Sequence, residues 1–163
     1  MSFQAVLERG LKMPQHLVGE RAPGTVQTRV WLTEHEWLHQ VFSCGANHSP
    51  RFRLPDLLGA CVSLALCSPE GVAKLRAFLV TELSSRDPRQ ARRTCHVWCE
   101  QFDILMLQHR APWNCHPNPK FELDAIATAC VAVARAGDDA VAAVLRQARA
   151  NLTARARSAS SLN

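Results

Sequence analysis

From Val26 to Leu32 the chain alternates: Val26, Thr28, Val30 and Leu32 fall on one face, Gln27, Arg29 and Trp31 on the other. That is the period of a half-buried strand. The period then changes to that of a helix. Thr33 with Glu36 three residues on predicts a capping box. Trp37, Leu38, Val41 and Phe42 make an apolar stripe that Gly45 ends. A basic loop, Asn47 to Arg53, leads to Pro55 and Asp56, both suited to a first helical turn. Leu57 to Leu66 is almost wholly apolar or small, which predicts a helix buried on most sides. Ser68 as cap and Pro69 as first residue open a third helix, Glu70 to Leu83, with Val72, Leu75, Leu79 and Leu83 inward.

The pattern then recurs. Val30-Trp31 returns as Val97-Trp98, Phe52-x-Leu54 as Phe121-x-Leu123, and Ala60-Cys61-Val62 as Ala129-Cys130-Val131, while Val72 has its counterpart in Val141. The spacing changes only in the loop between the first two helices. Thr94, His96 and Trp98 alternate with Cys95, Val97 and Cys99. Glu100 to Gln108 predicts a helix with Phe102, Leu105 and Met106 inward. Phe121 to Ala134 predicts the buried helix, and Gly137-Asp138-Asp139 opens a third that runs to about Arg155. Two copies of a unit that cannot bury its own apolar face are expected to pack on each other. The implied fold is mainly α, with two short strands in an internally duplicated chain.

The domain plan follows. Residues 1–25 form a leader, with Phe3, Val6, Leu7 and Leu11 on one helical face before Pro14. Residues 26–83 and 94–157 are the two repeats. Residues 84–93 are a linker carrying Arg86, Arg89, Arg92 and Arg93, with Pro88 blocking a continuous helix. Residues 158–163 are expected to be a disordered tail.

Composition adds direction. The 163 residues carry a formal net charge of +5 and 47% hydrophobic residues, values of a globular chain with a moderate leaning toward a polyanionic partner. No apolar run is long enough for a bilayer, and Arg9, Lys12 and Pro14 interrupt any signal-peptide core. A cytoplasmic location without membrane association is expected, with the 7 cysteines as thiols.

Two chemistries compete for those thiols. Cys95-His96-x-x-Cys99 with His109 and Cys115-His116 has the ligand types of a zinc site. Burial is the simpler home: Cys95 and Cys99 flank Val97, Cys61 and Cys130 are matched helix positions, and free cysteine is a common core residue. No metal and no cofactor are expected. A Cys–His nucleophile pair lacks a third orienting group and an oxyanion loop. No Gly-rich phosphate loop, His-Glu-x-x-His run or paired-carboxylate signature is read in the chain. An enzyme is not expected.

A strand leading straight into a capped helix, then a loop and a buried helix, resembles the ribbon-helix-helix family. RVWLTEHEWL with FRLPDLLGACVSLAL, and HVWCEQFDIL with FELDAIATACVAVA, would supply both copies from one chain. In this it is similar to tandem, single-chain members of that family: the accessory DNA-binding proteins of conjugative relaxosomes and the T-DNA border-enhancer-binding proteins of virulence C operons. The resemblance implies that the two strands pair within the chain as one two-stranded antiparallel ribbon, with a pseudo-twofold relation between halves, and that this ribbon enters the major groove of double-stranded DNA as partner. Gln27, Arg29, Trp31, Thr94, His96 and Trp98 would then face base edges. Arg51, Arg53, Arg92, Arg93 and Lys120 would contact phosphates. It also implies a role in plasmid or T-DNA transfer, with a relaxase or ParA-like ATPase as a possible protein partner. A plasmid-borne transcriptional regulator is the near alternative. The other is a helical interaction module that exposes the Trp pair to a partner.

Overall fold

The computed structural model describes residues 24–115 and 118–162. Strand β1 (Thr25–Trp31) runs directly into α1 (Leu32–Ser43), followed by α2 (Leu54–Leu66), α3 (Pro69–Thr81) and a single 3-10 turn (Leu83–Ser85). Strand β2 (Arg92–Trp98) runs directly into α4 (Cys99–His109), followed by α5 (Leu123–Ala136) and α6 (Ala140–Ser160). The order strand, helix, helix, helix is thus traversed twice.

The strands pair antiparallel within the chain, from Thr25 opposite Trp98, through Thr28 opposite Cys95, to Trp31 opposite Arg92. Alternation does what the sequence pattern predicts. Thr28, Val30, Cys95 and Val97 are buried, while Gln27, Arg29, Thr94 and His96 are exposed. A ribbon of two strands is marginal by itself, so its apolar underside needs a cover. Helix α5 lies against β1 and α2 against β2; α6 packs on α2, and α3 on α5. Each third helix therefore covers the second helix of the other half.

The core runs along α2 and α5. Leu57, Leu58, Ala60, Cys61 and Val62 are fully buried, as are Ile126, Ala127, Ala129, Cys130 and Val131. Leu38, Leu105, Leu75, Leu79, Val144 and Ala148 close it from the other helices. Each buried Leu contributes about 1.5–3 kcal/mol of transfer free energy. One buried asparagine holds each helix-to-helix loop: Asn47 before α2 and Asn114 before α5.

Several boundaries differ from those the pattern predicts. The strands begin earlier, at Thr25 and Arg92, so Arg92 and Arg93 belong to β2 and not to a linker. Thr33 does not cap α1. The strand turns into the helix at Trp31, whose side chain makes no capping bond, and the Thr33 hydroxyl accepts from Gln90 Nε2 at 2.9 Å. Ser68 does cap α3, accepting from the Gly71 N–H at 3.0 Å. Helix α3 stops at Thr81, short of Leu83. Helix α5 begins at Leu123, because the backbone of Phe121 is held by Asn114. The expected disordered tail is instead helical through Ser160. The amphipathic stretch from Phe3 to Leu11 lies outside the described residues. Among the described residues, no single helix is long and apolar enough to cross a membrane.

Candidate nucleic-acid interface

The outward face of the ribbon is a compact polar block. Gln27 stands opposite His96 and Arg29 opposite Thr94. All four are exposed, and neighbouring strands lie about 4.8 Å apart. The block therefore presents an amide, a guanidinium, an imidazole and a hydroxyl within reach of one another. The Arg29 side chain makes no ion pair among the described residues.

The two tryptophans do not join it, contrary to their alternation. Trp31 is only 5% exposed. The Arg92 guanidinium lies over its ring at 3.9 Å, and its backbone N–H donates to Thr128 Oγ1 at 3.0 Å. Trp98, half-buried, is covered in the same way by Arg155 at 4.0 Å, and its indole N–H donates to Asp56 Oδ1 at 2.7 Å. Period-2 reasoning places both rings outward. Each sits at a ribbon end, where a guanidinium can fold over an indole and take it out of water.

Arg92 is likewise withdrawn from phosphate contact. It donates to the carbonyls of Pro88 at 2.6 Å and Gln90 at 2.7 Å and pairs with Asp124 at 3.3 Å. Arg93 is exposed opposite Val30. It sits at the α1 side of the ribbon, close enough to His35 to add, after burial and His39, to what lowers that ring's pKa. Arg51 is exposed with its guanidinium over Phe42 at 4.4 Å. Arg53 is the exposed N-cap of α2, its backbone N–H donating to Asp56 Oδ2 at 2.9 Å. Lys120 is exposed just before α5.

The two helix starts that flank the ribbon are chemically unlike. At α2 the free charges are Arg51 and Arg53, because Asp56 is committed to Trp98 and to Arg155 at 3.2 Å. At α5 the N-cap is Glu122, exposed, with Lys120 two positions before it. A groove along the β1 edge is lined by Gln27, Thr28, Arg29, Phe102, Glu122, Leu123 and Asp124. Arg29 therefore shares its surroundings with carboxylates.

The cysteines divide by environment. Cys61, Cys95 and Cys130 are buried. Burial pushes the Cys95 thiol up to about 11 and raises those of Cys61 and Cys130 as well. Cys95 faces the underside of the ribbon while His96 faces out. The Cys115 thiol donates to the His109 carbonyl at 2.9 Å, and His116 lies outside the described residues. Among the described residues, no group of three or more His, Cys, Asp or Glu side chains could hold a metal ion.

Two features escaped the sequence reading. Glu34, in the first turn of α1, is 1% exposed. Its carboxylate accepts two bonds from Arg86, at 2.9 and 2.7 Å. Those bonds raise the Arg86 pKa further. The partner lies in what was read as a solvated linker, so no local pattern could join them. The second overturns the reading that the chain has no His-Glu-x-x-His run. His35-Glu36-Trp37-Leu38-His39 on α1 is a His-Glu-x-x-His run, the helical spacing that sets two imidazoles on one face.

No protein-family model, no curated protein and no solved structure matches this chain.

Proposed function

We propose that this protein binds double-stranded DNA by laying the outward face of its ribbon in the major groove, as a single-chain, pseudo-twofold ribbon-helix-helix unit. The observation that carries the reading is the exposed block of Gln27, Arg29, Thr94 and His96 on a ribbon whose other face is buried. A two-stranded ribbon fits a groove about 12 Å wide. Arg29 suits guanine, through bidentate bonds to O6 and N7, and Gln27 suits adenine. Arg51, Arg53 and Lys120 flank the block as phosphate contacts, and the net charge of +5 favours approach to a polyanion.

The internal repeat is supported by the matched order of elements and by Asn47 and Asn114 doing the same work in both halves. Trp31, Trp98 and Arg92 drop out of the contact set, for the reasons of geometry given above. The interaction-module alternative needs an exposed Trp pair, which Trp31 does not supply. Accessory action in plasmid or T-DNA transfer, with a relaxase or ParA-like ATPase as partner, rests on the family resemblance. So does transcriptional regulation.

Fluorescence anisotropy with a labelled duplex tests the reading. Micromolar protein at about 50 mM salt should register binding even to generic DNA. At a selected site Arg29→Ala should cost roughly 1–3 kcal/mol and relax preference at one base pair. No binding at low salt removes the proposal. Binding that Arg29→Ala leaves unchanged in both affinity and preference removes the ribbon as the reading element.

A further inference from the structure

We propose that His35 and His39 form a surface site for one divalent transition-metal ion of the kind that imidazole prefers, such as Ni(II), Zn(II) or Cu(II). The inference does not depend on DNA binding. Residues four apart on a helix lie one above the other. Here the two rings have their centroids 4.7 Å apart, tilted by 60°. That separation lets a nitrogen from each approach a single ion at the usual distance of about 2.0–2.1 Å. Neither ring makes a side-chain hydrogen bond among the described residues, so no nitrogen must be freed first. His39 is exposed, and His35 is half-buried.

Glu36, next to His35 in the sequence, is exposed and adds a negative charge beside the pair. Trp37 and Leu38, between the two histidines, are buried. They fix α1 to the core and hold the imidazoles at the surface.

The run matches the helix of zinc hydrolases, yet the site described here is a binding site. A hydrolytic zinc keeps three protein ligands, and no third joins these two among the described residues. An ion held by two imidazoles keeps several positions open to water or to a donor from a bound partner. The Arg93 guanidinium, close enough to act on His35, opposes a second positive charge. Removing it should tighten binding.

Calorimetric titration of the full chain with Ni(II) at pH 7.5 provides the test. One equivalent should bind to the wild type. His35→Ala and His39→Ala should each weaken binding at least tenfold, since losing a direct ligand costs no less than the roughly 10–100-fold of losing its outer support. His35→Ala/His39→Ala should abolish the binding. Arg93→Ala should tighten it, and Cys67→Ser, which removes an exposed thiol, should leave it unchanged. Circular dichroism checks that each variant is folded; His39, being exposed, gives a variant that keeps the core. No Ni(II) uptake by the wild type overturns the proposal. So does uptake that persists in the double variant, or that Cys67→Ser alone removes.

Discussion

Asn47 and Asn114 make the same three hydrogen bonds in two different loops. Asn47 Nδ2 donates to the carbonyls of Phe42 and Phe52, both at 3.0 Å, and its Oδ1 accepts from the Phe52 N–H at 2.8 Å. Asn114 Nδ2 donates to His109 at 2.7 Å and Phe121 at 3.0 Å, and its Oδ1 accepts from the Phe121 N–H at 2.9 Å. Each amide ties the end of one helix to the residue that leads into the next. Phe52 and Phe121 are the same pair that the repeated Phe-x-Leu pattern aligns.

Both asparagines are buried, at 4% and 0% exposure. Asn47→Ala or Asn114→Ala leaves a buried N–H and two carbonyls without partners, and should cost roughly 1–3 kcal/mol each. Asn→Asp should be no milder, because a carboxylate cannot donate to the two carbonyls. Urea unfolding of the four single variants measures this. A loss at one loop without a comparable loss at the other would mean that the matched bonds are not matched in energy.

Glu34 and Arg86 support a second prediction. With Arg86→Met the buried Glu34 carboxylate loses its partner, and the cost should be about 3–5 kcal/mol. Replacing both, as Glu34→Leu with Arg86→Met, should recover much of that, because the desolvated charge is gone. Thermal or denaturant melts of the two single variants and the double close the cycle. A double variant as unstable as the sum of the singles would show that the pair is not coupled.

These residues also mark what a sequence pattern can carry. Strand alternation at Val26 to Leu32 places Arg29 outward and Val30 inward because sheet sidedness depends only on neighbours in the chain. The buried helices are legible for a similar reason: ten nearly uninterrupted apolar or small residues leave no polar face. Trp31 breaks the rule because its exposure is decided by Arg92, across the ribbon, and by Thr128 on α5. Glu34 is hidden by a residue far along the chain. Thr33 matched a local capping motif, but the strand ran into the helix with no room for a cap. The His35–His39 run needed no structure to be noticed, only a count of spacing on a helix already predicted.

Thiol chemistry gives a third test. Burial raises the Cys61, Cys95 and Cys130 pKa values above the 9.0 of a free thiol. On unfolding, such thiols release protons more readily, so their contribution is intact below pH 9.0 and is lost as pH rises above it. Stability should therefore decline from pH 9 upward. At pH 8 a thiol reagent should modify exposed Cys67 first and leave these three untouched until the protein unfolds. Mass spectrometry after timed quenching assigns the sites. Early modification of Cys61 or Cys130 in folded protein would contradict their burial.

The two ends of the ribbon should contribute unequally to DNA binding, if DNA lies on the ribbon as proposed. At the α2 end Arg51 and Arg53 are free cations, since the Asp56 carboxylate is shared among the Arg53 N–H, Trp98 and Arg155. At the α5 end Glu122 stands at the N-cap, where its charge suits the helix dipole but opposes an incoming phosphate. Arg53→Ala should weaken binding to every sequence and lower the salt slope by about one unit. Lys120→Ala should cost less, because the carboxylate beside it already holds phosphate off. Glu122→Gln should strengthen binding at low salt, and the gain should shrink as salt rises and screens the removed repulsion. Anisotropy titrations on selected and scrambled duplexes at several salt concentrations separate these effects. Equal losses from Arg53→Ala and Lys120→Ala, with no gain from Glu122→Gln, would mean that the charge difference between the ends is not felt by DNA. The DNA would then have to approach along a path other than one bracketed by the two helix starts.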